Sequence, residues 1–129
     1  QESAPEKTPA PAEPQPEETR LTVYYFHRAA RCMTCKALEA TARAAVESSF
    51  ADDLAAGRIV FKSVNLDEAG GKEFVHRYQV FGPALVLSRT QGGKEIEWKN
   101  LDRIWQLIRT PDAYKAYVVE EIKAWAPNP

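Results

Sequence analysis

The stretch LTVYYFHRAARCMTCKALEATARAAVESSF, residues 21–50, constrains the chain more than any other. Leu21 to His27 is β-branched and aromatic, and short enough for a buried strand. After four intervening residues come Cys32 and Cys35, the only two cysteines. From Cys32 to about Phe50 the run is rich in Ala, Glu, Arg and Lys. Leu38, Ala42, Ala45 and Ser49 fall on one helical stripe, with Val46 and Phe50 beside it. A strand feeding straight into an amphipathic helix predicts an α/β layer structure.

The rest of the chain extends that pattern. The helix is expected to continue or restart through Asp52–Ala56, with Gly57 placed to stop it. RIVFKSVNL, 58–66, is nearly continuous in apolar character, which predicts a strand covered on both faces. Asp67 is expected to open a short helix with Phe74, Val75 and Tyr78 inward. Gly82-Pro83 breaks the chain before ALVLS, 84–88, another buried strand. TQGGK, 90–94, reads as a hairpin turn, and EIEWK returns antiparallel. Leu101, Ile104, Trp105 and Ile108 have helical spacing. Thr110-Pro111-Asp112 gives an N-cap, a proline at the first helical position and an acid in the first turn. Tyr114, Val118, Ile122 and Trp125 line the helix that follows. Trp98, Trp105 and Trp125 are expected to pack in or against the core. The order β-α-β-α-β-β-α predicts a four-stranded mixed sheet with helices on both faces.

Residues 1–20 differ in kind. They hold five of the nine prolines and no large apolar side chain, with five glutamates against Lys7 and Arg20. Such a segment cannot bury enough surface to offset its ordering entropy, so a Pro/Glu-rich tether is expected there. It would precede a domain over 21–126 and a tail over 127–129. A first residue Gln1 after processing, followed by such a tether, suits an exported, periplasmic or N-terminally membrane-anchored protein. A cytoplasmic protein cut at this point is the alternative. The net charge of −1 gives no electrostatic reason to expect nucleic acid as partner. A monomer is expected.

At the strand-to-helix junction, unpaired N–H groups and the helix dipole favour an anion. Cys32, at the helix start, is the thiol that gains most, and its pKa is expected to fall. Arg28, Arg31 and Lys36 put positive charge in the same region and should lower it further. Residues three apart on a helix have Cβ atoms about 5–6 Å apart, whereas a disulfide wants roughly 3.8 Å. A bond across Cys32–Cys35 can form by tightening the helix start. Closing so small a loop removes little unfolded-state entropy, so a purely structural staple is poorly placed here.

Over 21–126 the chain resembles a minimal thioredoxin fold. RCMTCK at a strand-to-helix junction, VNLD ending the second strand, and YQVFGPALVL with Gly82-Pro83 carry the resemblance. It implies that Cys32 attacks and Cys35 resolves. It also implies that Pro83 is cis and faces the pair, its neighbouring backbone pairing with a partner polypeptide. WKNLDRIWQLI and YKAYVVEEI are similar to a narrower group, the small exported thioredoxin-like proteins of the nitrophenyl compound nitroreductase subunit ArsF family. Arg31 stands where thioredoxins have Trp, and Met33-Thr34 where they have Gly-Pro. VYYFH lacks the acid that thioredoxins bury beneath the motif. His27 is the nearest titratable substitute, of the residue type that changes charge near neutrality.

These features predict a thiol–disulfide oxidoreductase needing no cofactor. Its partners would be a protein disulfide or dithiol and a redox recycling partner. Two other readings stay open. One is a metal or metalloid binding module on the Cys32 and Cys35 thiolates, with His27 and His76 as further ligands. The other is a redox-inert adaptor that holds a partner through the Pro83 loop and the hairpin.

Overall fold

The structure, a computed structural model, describes residues 19–30 and 32–127. The elements are β1 (Thr19–His27), α1 (Met33–Ser49), α2 (Ala51–Ala56), β2 (Ile59–Asn65) and α3 (Gly71–Tyr78). They continue with β3 (Ala84–Gln91), β4 (Lys94–Asn100), α4 (Ile104–Leu107) and α5 (Pro111–Trp125). The sheet order is β2-β1-β3-β4, with β1–β2 parallel and the other two pairs antiparallel. The four-stranded mixed sheet is therefore as expected. β1 starts at Thr19, and Thr19 and Arg20 pair with Gln91 and Thr90. The remainder of the expected tether, residues 1–18, lies outside the described residues, as do the last two residues of the expected tail. No helix among the described residues is long and apolar enough to cross a membrane.

Strand alternation on β1 divides the core. Leu21, Val23 and Tyr25 face one way, where Leu38, Ala42, Ala45 and Val46 of α1 meet Tyr114, Val118 and Ile122 of α5. Phe26 and Tyr24 face the other way, toward Phe74 and Tyr78 of α3. Helices thus cover both faces. The α1 stripe is buried as its spacing predicts, except that Ser49 is exposed. Two phenols pin the helices: Tyr114 donates to the Leu38 carbonyl and Tyr25 to the Cys35 carbonyl, each at 2.8 Å.

Several local expectations change. β2 is an edge strand with Lys62 and Ser63 exposed, not a strand covered on both faces. Its apolar residues find partial cover instead, as where the Arg43 guanidinium lies 4.6 Å from the Phe61 ring centroid. α3 begins three residues later than expected, with Gly70 rather than Asp67 as its N-cap, because the Asp67 carboxylate is engaged elsewhere. Thr110 makes no side-chain cap, although Pro111 does open α5. Gly57 ends α2 in the left-handed region as predicted. The hairpin turn narrows to Gly92-Gly93, both at positive φ, which suits the two-residue turn matched to strand twist. Two of the tryptophans pack as expected: Trp125 is half-buried under Arg89, and Trp98, though partly exposed, meets the buried Tyr78 edge-on with ring centroids 5.0 Å apart. Trp105 is substantially exposed.

One carboxylate joins α3 to the hairpin. Glu95 accepts from Tyr78, Ser88 and Arg77. Burial pushes its pKa up, but these three donors outweigh that and hold it below the usual carboxylate range. A depressed folded-state pKa gives stability that is present above the unfolded value, about 4.3, and lost as pH falls through the folded value. Thermal melts between pH 7 and pH 2 should show a steeper acid loss for wild type than for Glu95→Gln. Parallel curves would remove Glu95 from the acid response.

Candidate functional site

Cys32 is the N-cap of α1, with extended backbone at φ −97° and ψ 170°. Its sulfur accepts the Cys35 backbone N–H at 3.3 Å, so a thiol occupies the position normally held by a capping hydroxyl or carboxylate. The two Sγ atoms are 3.1 Å apart, in hydrogen-bond contact rather than at the roughly 2.05 Å of a disulfide. Cys32 is exposed and Cys35 half-buried. The Cys32 thiol is held below its ordinary pKa, first by the Cys35 side chain and then by backbone N–H groups at the helix start. The helix-terminus expectation is thus met. When Cys32 is the thiolate, Cys35 donates its S–H to it.

For Arg28 the expectation of a charge acting on Cys32 is not met. Arg28 directs its charge to Asp67, at 2.8 Å, and its other terminal nitrogen to the Phe81 carbonyl, at 3.1 Å. Its guanidinium is therefore spent on two neighbouring loops, and Arg28 is not among the groups that lower the Cys32 pKa. Arg31 lies outside the described residues.

His27 ends β1 on the same face as Tyr25, the two ring centroids 6.5 Å apart. Its Nδ1 lies 3.0 Å from the Arg28 carbonyl. A carbonyl only accepts, so Nδ1 carries the proton and Nε2 accepts in the neutral ring. His76 sits on α3, against the other sheet face, so the four-ligand set considered from the sequence is not drawn together. Among the described residues no three His, Cys, Asp or Glu side chains gather in a way that could hold a metal ion.

Gly82 and Pro83 form a bend leading into β3. No peptide bond among the described residues is cis, so the Gly82–Pro83 bond is trans, which corrects the expectation of a cis-proline. Trans is the lower-energy form for an X–Pro bond by about 0.5–1 kcal/mol, and this bend accommodates it. A groove of about 260 Å³ runs past Phe81, Gly82, Pro83, Asn100, Asp102 and Trp105. Phe81 is 72% exposed and Met33, next to Cys32, is 87% exposed.

Tyr25, Arg28 and Asp67 are the site residues whose roles sequence reasoning missed. Strand alternation could have placed Tyr25 beneath α1, because it shares a parity with Leu21 and Val23. The Arg28–Asp67 pair spans 39 positions in sequence and leaves no local signal.

No protein-family model matches the chain, and no curated protein matches it. Solved structures do. Human ERp44 in a zinc-bound form is 17% identical at a TM-score of 0.50, covering 78% of this chain and 26% of that one. Fasciola hepatica thioredoxin is 21% identical at a TM-score of 0.41, covering 70% and 79%. Oxidized thioredoxin O2 from Arabidopsis thaliana is 19% identical at 0.41, covering 70% and 73%. Likeness at such identities concerns the backbone and not the chemistry. With the β2-β1-β3-β4 sheet covered on both faces and the cysteine pair at the β1–α1 junction, the chain has a thioredoxin fold.

Proposed function

We propose that the domain is a thiol–disulfide oxidoreductase acting on a protein partner. One observation carries the reading. An exposed Cys32 sulfur caps a helix with its pKa lowered, and a second, less exposed sulfur stands 3.1 Å away.

The Cys32 thiolate attacks one sulfur of a substrate disulfide. The substrate S–S bond breaks, its other sulfur leaves as a thiolate and takes a proton, and a mixed disulfide on Cys32 remains. Cys35 loses its proton and attacks the Cys32 sulfur. The second substrate thiolate leaves, and the domain holds the Cys32–Cys35 disulfide. Two electrons have passed to the substrate. The reverse sequence oxidises a dithiol, and the reduction potential of the pair sets the direction. Stabilising the Cys32 thiolate favours the reduced pair and so shifts the domain toward oxidant behaviour. His27, with Nε2 able to accept, is the side chain we assign to moving the Cys35 proton. A recycling partner would restore the starting state. Export is the setting we assign from the composition of residues 1–20. The narrower ArsF kinship rests on the C-terminal sequence texture, and the chain carries no glycine-rich nucleotide fingerprint to support nitroreductase chemistry.

The test joins two measurements. Alkylation of Cys32 followed against pH should show a midpoint below the ordinary thiol value of about 8.5. Cys32→Ser should abolish reduction of insulin disulfides in the presence of a dithiol. Turnover that survives Cys32→Ser would end the assignment.

A further inference from the structure

Three loops meet at the end of the sheet that carries the cysteines, and one side chain touches two of them from the third. Arg28 directly follows β1, in the loop that leads to Cys32. Its Nη2 lies 2.8 Å from the Asp67 carboxylate, on the loop between β2 and α3. Its Nη1 donates at 3.1 Å to the Phe81 carbonyl, two residues before Pro83. The second Asp67 oxygen accepts the backbone N–H of Ala29 at 2.7 Å. The carboxylate is thus gripped by both the side chain and the main chain of the cysteine loop. Asp67 is itself held, because its N–H donates to the Asn65 side chain at 2.9 Å. The neighbouring Leu66 N–H donates to the His27 carbonyl at 2.7 Å.

We infer that Arg28 is a positioning residue for disulfide exchange: its guanidinium, forked between Asp67 and the Phe81 carbonyl, holds the Phe81–Pro83 loop in register with the cysteine loop. The inference rests on the proposed exchange function. A guanidinium is a rigid planar fork with donors in fixed directions, whereas an ammonium is a point charge on a flexible stem. Only the fork fixes two acceptors relative to each other. The pair is half-exposed, and exposed ion pairs add little to folding stability, so this geometry serves position more than stability. A large exposed apolar side chain stands on each side, Met33 at the start of α1 beside Cys32 and Phe81 on the loop before Pro83. A polypeptide disulfide must meet both loops at once. A small disulfide needs only the Cys32 sulfur.

The two substrates separate the roles. Arg28→Met and Arg28→Lys are compared with wild type on insulin and on glutathione disulfide, with Asp67→Asn as a second route to the same latch. On insulin, kcat/KM should fall about ten- to a hundredfold, mainly through KM, as expected for misplacement of a positioning element. Reaction with glutathione disulfide and the pH profile of Cys32 alkylation should stay within about twofold, because the Arg28 charge is neutralised by Asp67. Amide hydrogen exchange in residues 79–84 should quicken severalfold in both Arg28 variants, reporting local loosening independently of activity. Equal losses on both disulfides, or no loss on either, would overturn the inference. So would unchanged exchange in 79–84. Wild type that reacts with neither disulfide would instead refute the exchange function, while the hydrogen-exchange comparison would still show whether Arg28 holds the loop.

Discussion

Cys35→Ser is expected to turn the domain into a covalent trap. Cys32 keeps its exposure and its place at the helix start, so it still attacks a substrate disulfide. The sulfur that stood 3.1 Å away is gone, so the mixed disulfide is not resolved. Insulin turnover should fall by about a thousandfold or more, because attack and resolution act as one unit. An adduct of the combined mass should accumulate on non-reducing gels and in intact-mass spectra, and a dithiol should release it. Cys32→Ser should form no such adduct. The contrast assigns the two roles separately. Adduct formation by Cys32→Ser and not by Cys35→Ser would reverse the assignment. Removing Cys35 also removes the donor that contributes most to lowering the Cys32 pKa. The trap should therefore react more slowly at neutral pH than wild type does in its first step, and the gap should close as pH rises toward the ordinary thiol range.

Gly71→Ala is expected to be among the most damaging single changes. Gly71 is buried at the first position of α3, directly against the β2–α3 loop. A Cβ there would lie 2.1 Å from the Leu66 carbonyl oxygen and 2.6 Å from its carbon. These are backbone atoms, and no rotamer change relieves the overlap. Leu66 is buried, and its N–H is bonded to the His27 carbonyl, so it has little room to yield. The cost should be about 3 kcal/mol, the upper range for overpacking. For a domain of this size that lowers Tm by roughly 10 °C. The displacement also bears on function, because Leu66 adjoins Asp67, the anchor of Arg28. Residual folded protein should show weakened insulin reduction beyond its fractional loss of folding. A Tm within a degree or two of wild type would show that the loop can move aside.

The fold was largely legible because its elements carry strong local signals. The β-branched and aromatic run from Leu21 to His27 specifies a buried strand, and the Leu38–Ala42–Ala45 stripe specifies both a helix and its buried face. Gly92-Gly93 specified a hairpin because both positions need positive φ. The errors fall where local pattern and tertiary context compete. The apolar run of β2 suited a central strand, yet strand order put it at an edge. Asp67 has the composition of an N-cap, yet a longer-range partner captured its carboxylate. Trp105 shares the helical spacing of Leu101, Ile104 and Ile108, yet only Leu101 and Ile104 are fully buried and Trp105 stays substantially exposed.

Two cysteines at this spacing, after a strand and at the start of a helix, already determine the dithiol chemistry open to this chain. Capping geometry is local, and among the described residues the groups that lower the Cys32 pKa lie between Cys32 and Cys35. The surroundings of that pair were decided only in three dimensions. Arg28 was expected to sharpen the Cys32 thiolate, and the fold gave it instead to Asp67 and Phe81, 39 and 53 residues away. Tyr25 sits in a strand with no local sign of a polar role, yet its hydroxyl reaches the Cys35 carbonyl. Sequence reports the forces acting between near neighbours. Which of several possible partners a charged or polar side chain takes depends on what the sheet brings within about 3 Å of it, and that is a property of the assembled topology.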